Sequence, residues 1–308
     1  MWFALLLVLN ASASPDSALS RYVTVARAES LHAVVVGHGR PVVFIPGLAG
    51  SAYAFRKVIA LLPRDEYRSI VVEPLGFGNS SRPEKADYSL TAQADRVAAV
   101  LDTLGVSDAL IVAHSLSASI ALRLAYRRPS AVGALLSIEG GPSESATTEG
   151  FKKALRFVSI IKWAGGAKRI RKEMRKGFIA ASGDPSWVSD EVVAAYTSGV
   201  AADLDGTLLA YIQMGKAREP ERLQDHLAGI PAPVFLLRGT APHEGGVSPD
   251  EIALFRRTLR AFQVDTVGGA GHHIHEERPG AVVEAIERMQ AWHLAHGKAL
   301  EPRLTPGG

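Results

Sequence analysis

The chain has 308 residues, 47% of them hydrophobic and 21% charged, which excludes disordered, collagenous and low-complexity classes and allows one large domain or two small ones. It contains no cysteine, so disulfides, thiolate metal sites and a cysteine nucleophile are excluded. The net charge of +3 is too small to argue for nucleic acid as a partner.

Residues 2–9 form a short apolar run, followed by Ala11-Ser12-Ala13. This small-residue pattern predicts a signal peptide over 1–13 and hence export to the periplasm or beyond. The run is shorter than the roughly 20 residues that span a bilayer. No Lys or Arg precedes it, and a cytoplasmic protein is the alternative. From Arg21 onward, β-rich apolar runs are predicted as strands at 21–25, 31–36, 41–45, 69–72, 109–112, 134–138, 234–237 and 264–267. Several are continuous rather than alternating, as expected of strands buried on both faces. Helical patterns at 53–62, 91–104, 115–127, 249–262 and 281–293 lie between them. That alternation predicts an α/β fold with a mostly parallel sheet covered on both sides. Ser248, Pro249 and Glu251 form a helix start with a capping box. The connection from 237 to 249 is longer than the usual two to six residues, which hints at function. Residues 142–229 show no strand-like run and are predicted to be a helical insertion. The α/β core then comprises 21–141 and 230–296.

The segment 110–118 is the most informative. A buried strand runs directly into a helix with Ser115 at the junction, the context of a nucleophile elbow. Such a turn is tight, and Ala113 and Ser117, two residues to either side, are small where the common pattern has glycine. The helix N-terminus also supplies amide donors for developing negative charge. A serine here equally reads as a simple N-cap.

Three further segments carry a resemblance. Residues 44–51 (FIPGLAGS) resemble the oxyanion loop of the α/β-hydrolase superfamily, and 73–80 (EPLGFGNS) resemble its D-x-x-G-x-G-x-S loop. Residues 271–279 (GHHIHEERP) resemble its terminal G-H-x-x-x-x-E-x-P segment. The resemblance spans 21 to about 294 and implies an α/β-hydrolase fold with a helical cap over 142–229. It departs at Pro46, where the family often has His, and at Glu73, where it usually has Asp. It implies that His272 is the base for Ser115 and that the backbone amides of Leu48 and Leu116 hold the oxyanion. In chain order the triad acid falls between them. Glu139, directly after the strand 134–138, is favoured, with Glu244 in the 238–248 loop as the alternative. His273 and His275 read as lining or surface residues, and His114 as packing beside the elbow. The H-H-x-H cluster lacks the carboxylate or thiol spacing of a metal site, so neither metal nor cofactor is expected.

The implied activity is hydrolysis of a carboxylic ester, carboxylesterase- or lipase-like, through an acyl-enzyme on Ser115. Thioester or C–C bond hydrolysis and a non-catalytic ligand-binding protein on the same fold are the alternatives. A Ser at the elbow argues against the dehalogenase and epoxide-hydrolase branches, which use Asp. The expected partner is a small, apolar acyl substrate. Residues 151–176 carry ten Lys and Arg against Glu173 alone, interleaved with apolar side chains. Such a helix fits peripheral contact with an anionic membrane, and it also fits a cap with solvated charges.

Overall fold

The computed structural model describes residues 18–146 and 166–296. The N-terminal run proposed as a signal peptide, and residues 151–165 of the basic segment, lie outside the described residues. In chain order the strands are β1 (Leu19–Ala26), β2 (Glu29–Val36), β3 (Arg40–Ile45), β4 (Tyr67–Val72), β5 (Ala109–His114), β6 (Val132–Ile138), β7 (Val234–Gly239) and β8 (Phe262–Val267). The described helices are α1 (Arg56–Leu61), α2 (Leu90–Thr103), α3 (Ser117–Arg127), α4 (Gly166–Ala180), α5 (Asp190–Tyr196), α6 (Ser198–Ala202), α7 (Leu204–Lys216), α8 (Pro249–Thr258), α9 (Ile274–Glu277) and α10 (Pro279–His296).

The eight strands form one sheet in the order β1-β2-β4-β3-β5-β6-β7-β8. β3 to β8 run parallel, and β1 and β2 form an antiparallel edge. Every residue of β5 and β6 is buried, which explains their unbroken apolar runs. Val97, Leu101, Ile120 and Leu124 of α2 and α3 cover one face. Val58, Val282, Ile286 and Met289 of α1 and α10 cover the other. Parallel strands put all their carboxyl ends on one edge, where ligands of open α/β sheets gather. The loops that follow β3, β5, β6, β7 and β8 meet there.

Three helices differ from their sequence-based limits for a reason the structure shows, the other two only by shifts of one to three residues at their ends. The stretch 53–62 is a 3-10 turn, Ala52–Phe55, followed by α1. α3 starts at Ser117 because Ser115 takes φ +54°, which no right-handed helix accommodates. α8 stops at Thr258; Phe262 reaches the same core from β8, its ring 5.2 Å from Phe255, so the periodic apolar spacing continues while the chain changes state. The capping box of Ser248 and Glu251 is present. Between β6 and β7 the described residues are helices and turns, with no strand. Phe178, Trp187 and Tyr196 of this stretch join the apolar cluster of Phe44, Phe55, Val112 and Ile138.

Candidate active site

Ser115 follows the last residue of β5, and Glu139 follows the last residue of β6. The register pairs His114 with Ile138 and Ile138 with Leu237, so the two residues leave neighbouring strands at the same level. Each amide still completes the sheet, Ser115 N–H to Ile138 O at 2.8 Å and Glu139 N–H to Leu237 O at 3.0 Å. Both then turn sharply, with φ of +54° and +50°. A left-handed conformation in a non-glycine residue costs about 1–3 kcal/mol and persists only where packing enforces it. Here the packing is close. A Cβ added to Gly140 would lie 2.3 Å from Ser115 O. Ala113 and Ser117 are fully buried, and the Ser117 hydroxyl donates to Pro46 O at 2.6 Å. That bond ties the elbow to the loop carrying Leu48. Among the described residues, neither the Leu48 nor the Leu116 amide donates to another protein group.

Glu73, the departure from the family's Asp, anchors that loop from below. Its fully buried carboxylate accepts from Ala52 N–H at 2.7 Å and from Asn79 N–H, and meets His32 Nδ1 at 3.1 Å. Glu73→Ala would strand all three groups. We expect it to destabilise the fold by about 3 kcal/mol or more, read as a lower urea midpoint. A loss under about 1 kcal/mol would show that water replaces the carboxylate.

His272 sits on the loop after β8. Its amide donates to Ala181 O at 2.8 Å, so the residues just after α4 hold this loop. Glu277, the glutamate of the terminal segment, reinforces the join by accepting from Gly183 N–H at 2.9 Å, Asp184 N–H at 2.8 Å and Gly271 N–H. His114 Nε2–H donates to His272 O at 3.0 Å, and the two rings lie 4.8 Å apart. Burial, then the neighbouring His243 and His275, lower the His272 pKa to about 3. A neutral imidazole can accept a proton, so the acid limb of kcat/KM is expected below the ordinary histidine value of ~6.5. Activity at pH 5 would then be close to that at pH 7. A limb at ~6.5 would show that Glu139 or entering water stabilises the charged imidazole in the working protein.

The two candidate acids differ in placement. Glu244 is exposed at the tip of the β7–α8 loop. Glu139 is 1% exposed, and its carboxylate, one nitrogen of His272 and one of His243 lie within 4.8 Å of one another. One Glu139 oxygen accepts from Gly239 N–H, while the other has no hydrogen-bond donor, nor does buried His272 Nδ1 have a partner. His243 escaped the sequence reading. Its Nδ1–H donates to Ala241 O at 2.8 Å, which leaves Nε2 facing Glu139 at 3.2 Å. The unusual length of its loop was the one available signal. His275 and His273, read as lining or surface residues, are buried and line a small pocket with residues 47–50, Met174, Phe178 and Tyr196.

A family model described as the alpha/beta hydrolase fold matches residues 40–166. The chain is 27% identical over 249 residues to the uncharacterized hydrolase YugF of Bacillus subtilis, covering 79% of this chain and 87% of that protein. It is 26% identical over 276 residues to the sn-1-specific diacylglycerol lipase ABHD11 of Mus musculus, covering 81% and 80%. Among solved structures, Cfl2 from Burkholderia cenocepacia superposes with a TM-score of 0.73 at 23% identity, over 87% of this chain and 94% of that one. The parallel sheet with its antiparallel edge, the strained serine at the end of β5 and these likenesses agree: the chain has the α/β-hydrolase fold, and its residues 40–166 match the family model of that fold.

Proposed function

We propose that the protein is a serine esterase acting on a small, apolar acyl ester. Ser115 Oγ attacks the acyl carbonyl while His272 takes its proton, and the carbonyl oxygen, now negative, accepts from the Leu48 and Leu116 amides. His272 returns the proton to the leaving alkoxide. Water, deprotonated by His272, then cleaves the acyl–serine bond and releases the acid. Glu139 orients His272 and stabilises its charged form. The observation that carries this reading is the φ of +54° at Ser115, strain at the edge where the loops of five parallel strands converge. The apolar preference is supported by Leu48, Ala49, Met174 and Phe178 in the pocket wall. The printed name of the mouse relative, a diacylglycerol lipase, agrees with ester chemistry. A fluorophosphonate probe tests the reading: it should label the wild type at Ser115. An unlabelled wild type would favour a ligand-binding protein on this fold.

Peripheral membrane contact is a second part of the proposal. Lys168, Arg169, Arg171, Lys172 and Lys176 are exposed on α4, while Phe178 is buried and Met174 lines the pocket. Ile179 is the large apolar side chain of α4 left exposed, so contact with anionic lipid would be mainly electrostatic and salt-sensitive. In co-sedimentation, anionic vesicles should retain the protein at low salt and release it at high salt. Equal retention by neutral vesicles would reject this.

A further inference from the structure

Next to the proposed catalytic groups lies a second cluster that they do not use. His114 ends β5; His273 and His275 flank the start of α9. Their rings lie 4.4 Å (His114–His275), 5.4 Å (His114–His273) and 5.9 Å (His273–His275) apart between centroids. One nitrogen from each lies within 4.8 Å of the other two. Exposures are 6%, 8% and 1%.

Three observations single this cluster out. The Nδ1 atoms of His273 and His275 are buried with no hydrogen-bond partner, which is costly for a polar atom unless something else occupies it. The tautomer of His114 is fixed: the His272 carbonyl can only accept, so Nε2 carries the proton and Nδ1 carries the lone pair. That Nδ1 points at the oxyanion loop, where a Cβ on Gly47 would come within 2.7 Å of it. A metal-bound histidine typically donates its other ring N–H to a carbonyl or carboxylate in this way. Finally, all three side chains line the same small pocket, whose opposite wall is residues 47–50.

We propose that His114, His273 and His275 form a binding site for a divalent transition-metal ion, zinc being the best match. Three neutral imidazoles with a fourth position facing a pocket are a donor set that suits Zn²⁺. Tetrahedral zinc with bonds of 2.0–2.1 Å places its ligand nitrogens about 3.4 Å apart, so the rings need to draw in by roughly 1 Å. No carboxylate belongs to this set. Glu276, next in the chain to His275, is engaged by Arg56, by Lys57 at 3.1 Å and by the Tyr196 hydroxyl at 2.8 Å. That disfavours Mg²⁺ and Ca²⁺, which need oxygen ligands. The donor set contains neither Ser115, His272 nor Glu139, so zinc binding is read out separately from ester turnover.

The test uses the untagged full chain with ZnCl₂ in equilibrium dialysis and CoCl₂ in visible spectroscopy. The expected result is one zinc per chain and the intense visible bands of tetrahedral Co²⁺. His273→Gln and His275→Gln should each weaken binding at least tenfold, with melting curves checking that each variant folds. His243→Gln and Glu139→Gln, which alter the neighbouring Glu139–His243–His272 cluster, should leave binding unchanged. Absence of stoichiometric zinc overturns the proposal. So does zinc binding that survives both His273→Gln and His275→Gln, or that is lost on His243→Gln, which would place the ion in the neighbouring cluster.

Discussion

Ser115→Ala should abolish fluorophosphonate labelling and lower turnover of a p-nitrophenyl ester by about 10⁴–10⁶-fold, the range seen when a serine hydrolase loses its nucleophile. The same substitution should barely move the melting temperature. The Ser115 hydroxyl makes no hydrogen bond to any described residue, so alanine leaves nothing unpaired. Alanine also keeps the Cβ and therefore the strain at φ +54°. Ser115→Gly separates the two effects. It should be equally inactive but more stable than alanine by about 1 kcal/mol, because glycine adopts this conformation without penalty. The pair of variants thus distinguishes strain held for chemistry from a serine that merely starts a helix. An N-cap serine replaced by alanine would cost about 1 kcal/mol and leave turnover intact. Turnover within tenfold of the wild type in both variants would overturn the assignment of Ser115.

What could be read from the residues alone follows from how local each signal is. The sheet was legible because β5 and β6 are buried on both faces and so appear as unbroken apolar runs. The elbow was legible because its tightness demands small residues at fixed offsets, here Ala113 and Ser117. For the acid the residues alone favoured Glu139 but left Glu244 as an alternative, since the choice depends on register. Only the pairing of Ile138 with both His114 and Leu237 brings Glu139 level with Ser115 and beside the loop that carries His243. The terminal H-H-x-H segment supplies only His273 and His275 to the proposed metal site. The third histidine, His114, arrives across the sheet from β5 and cannot be found by spacing. The role of Glu73 was hidden for the same reason: its partners Ala52, Asn79 and His32 come from three separate segments.

Glu139→Gln should lower ester turnover by about 10⁴-fold, the cost of the equivalent carboxylate-to-amide change in the serine-protease template. Glu244→Gln should leave it unchanged, because Glu244 is exposed and lies outside the cluster that brings Glu139, His243 and His272 together. The argument is electrostatic. When His272 takes the serine proton it becomes a cation in a buried site, and burial already pushes its pKa down to about 3. Without a counter-charge the transition state carries that desolvation cost in full. Glu139 is the carboxylate positioned to offset it, with one oxygen free of hydrogen-bond donors. Glutamine is the informative replacement. Its carbonyl oxygen still accepts from Gly239 N–H, so the turn at φ +50° should survive while the charge is removed. An intact fold with lost turnover therefore isolates the charge. His243→Gln completes the cycle. If His243 merely holds Glu139 in place, its loss should cost far less than the loss of Glu139, and the double variant should be no slower than Glu139→Gln alone. Near-normal turnover in Glu139→Gln, with loss in Glu244→Gln, would instead require the β7–α8 loop to refold over His272, and would transfer the acid's role to Glu244.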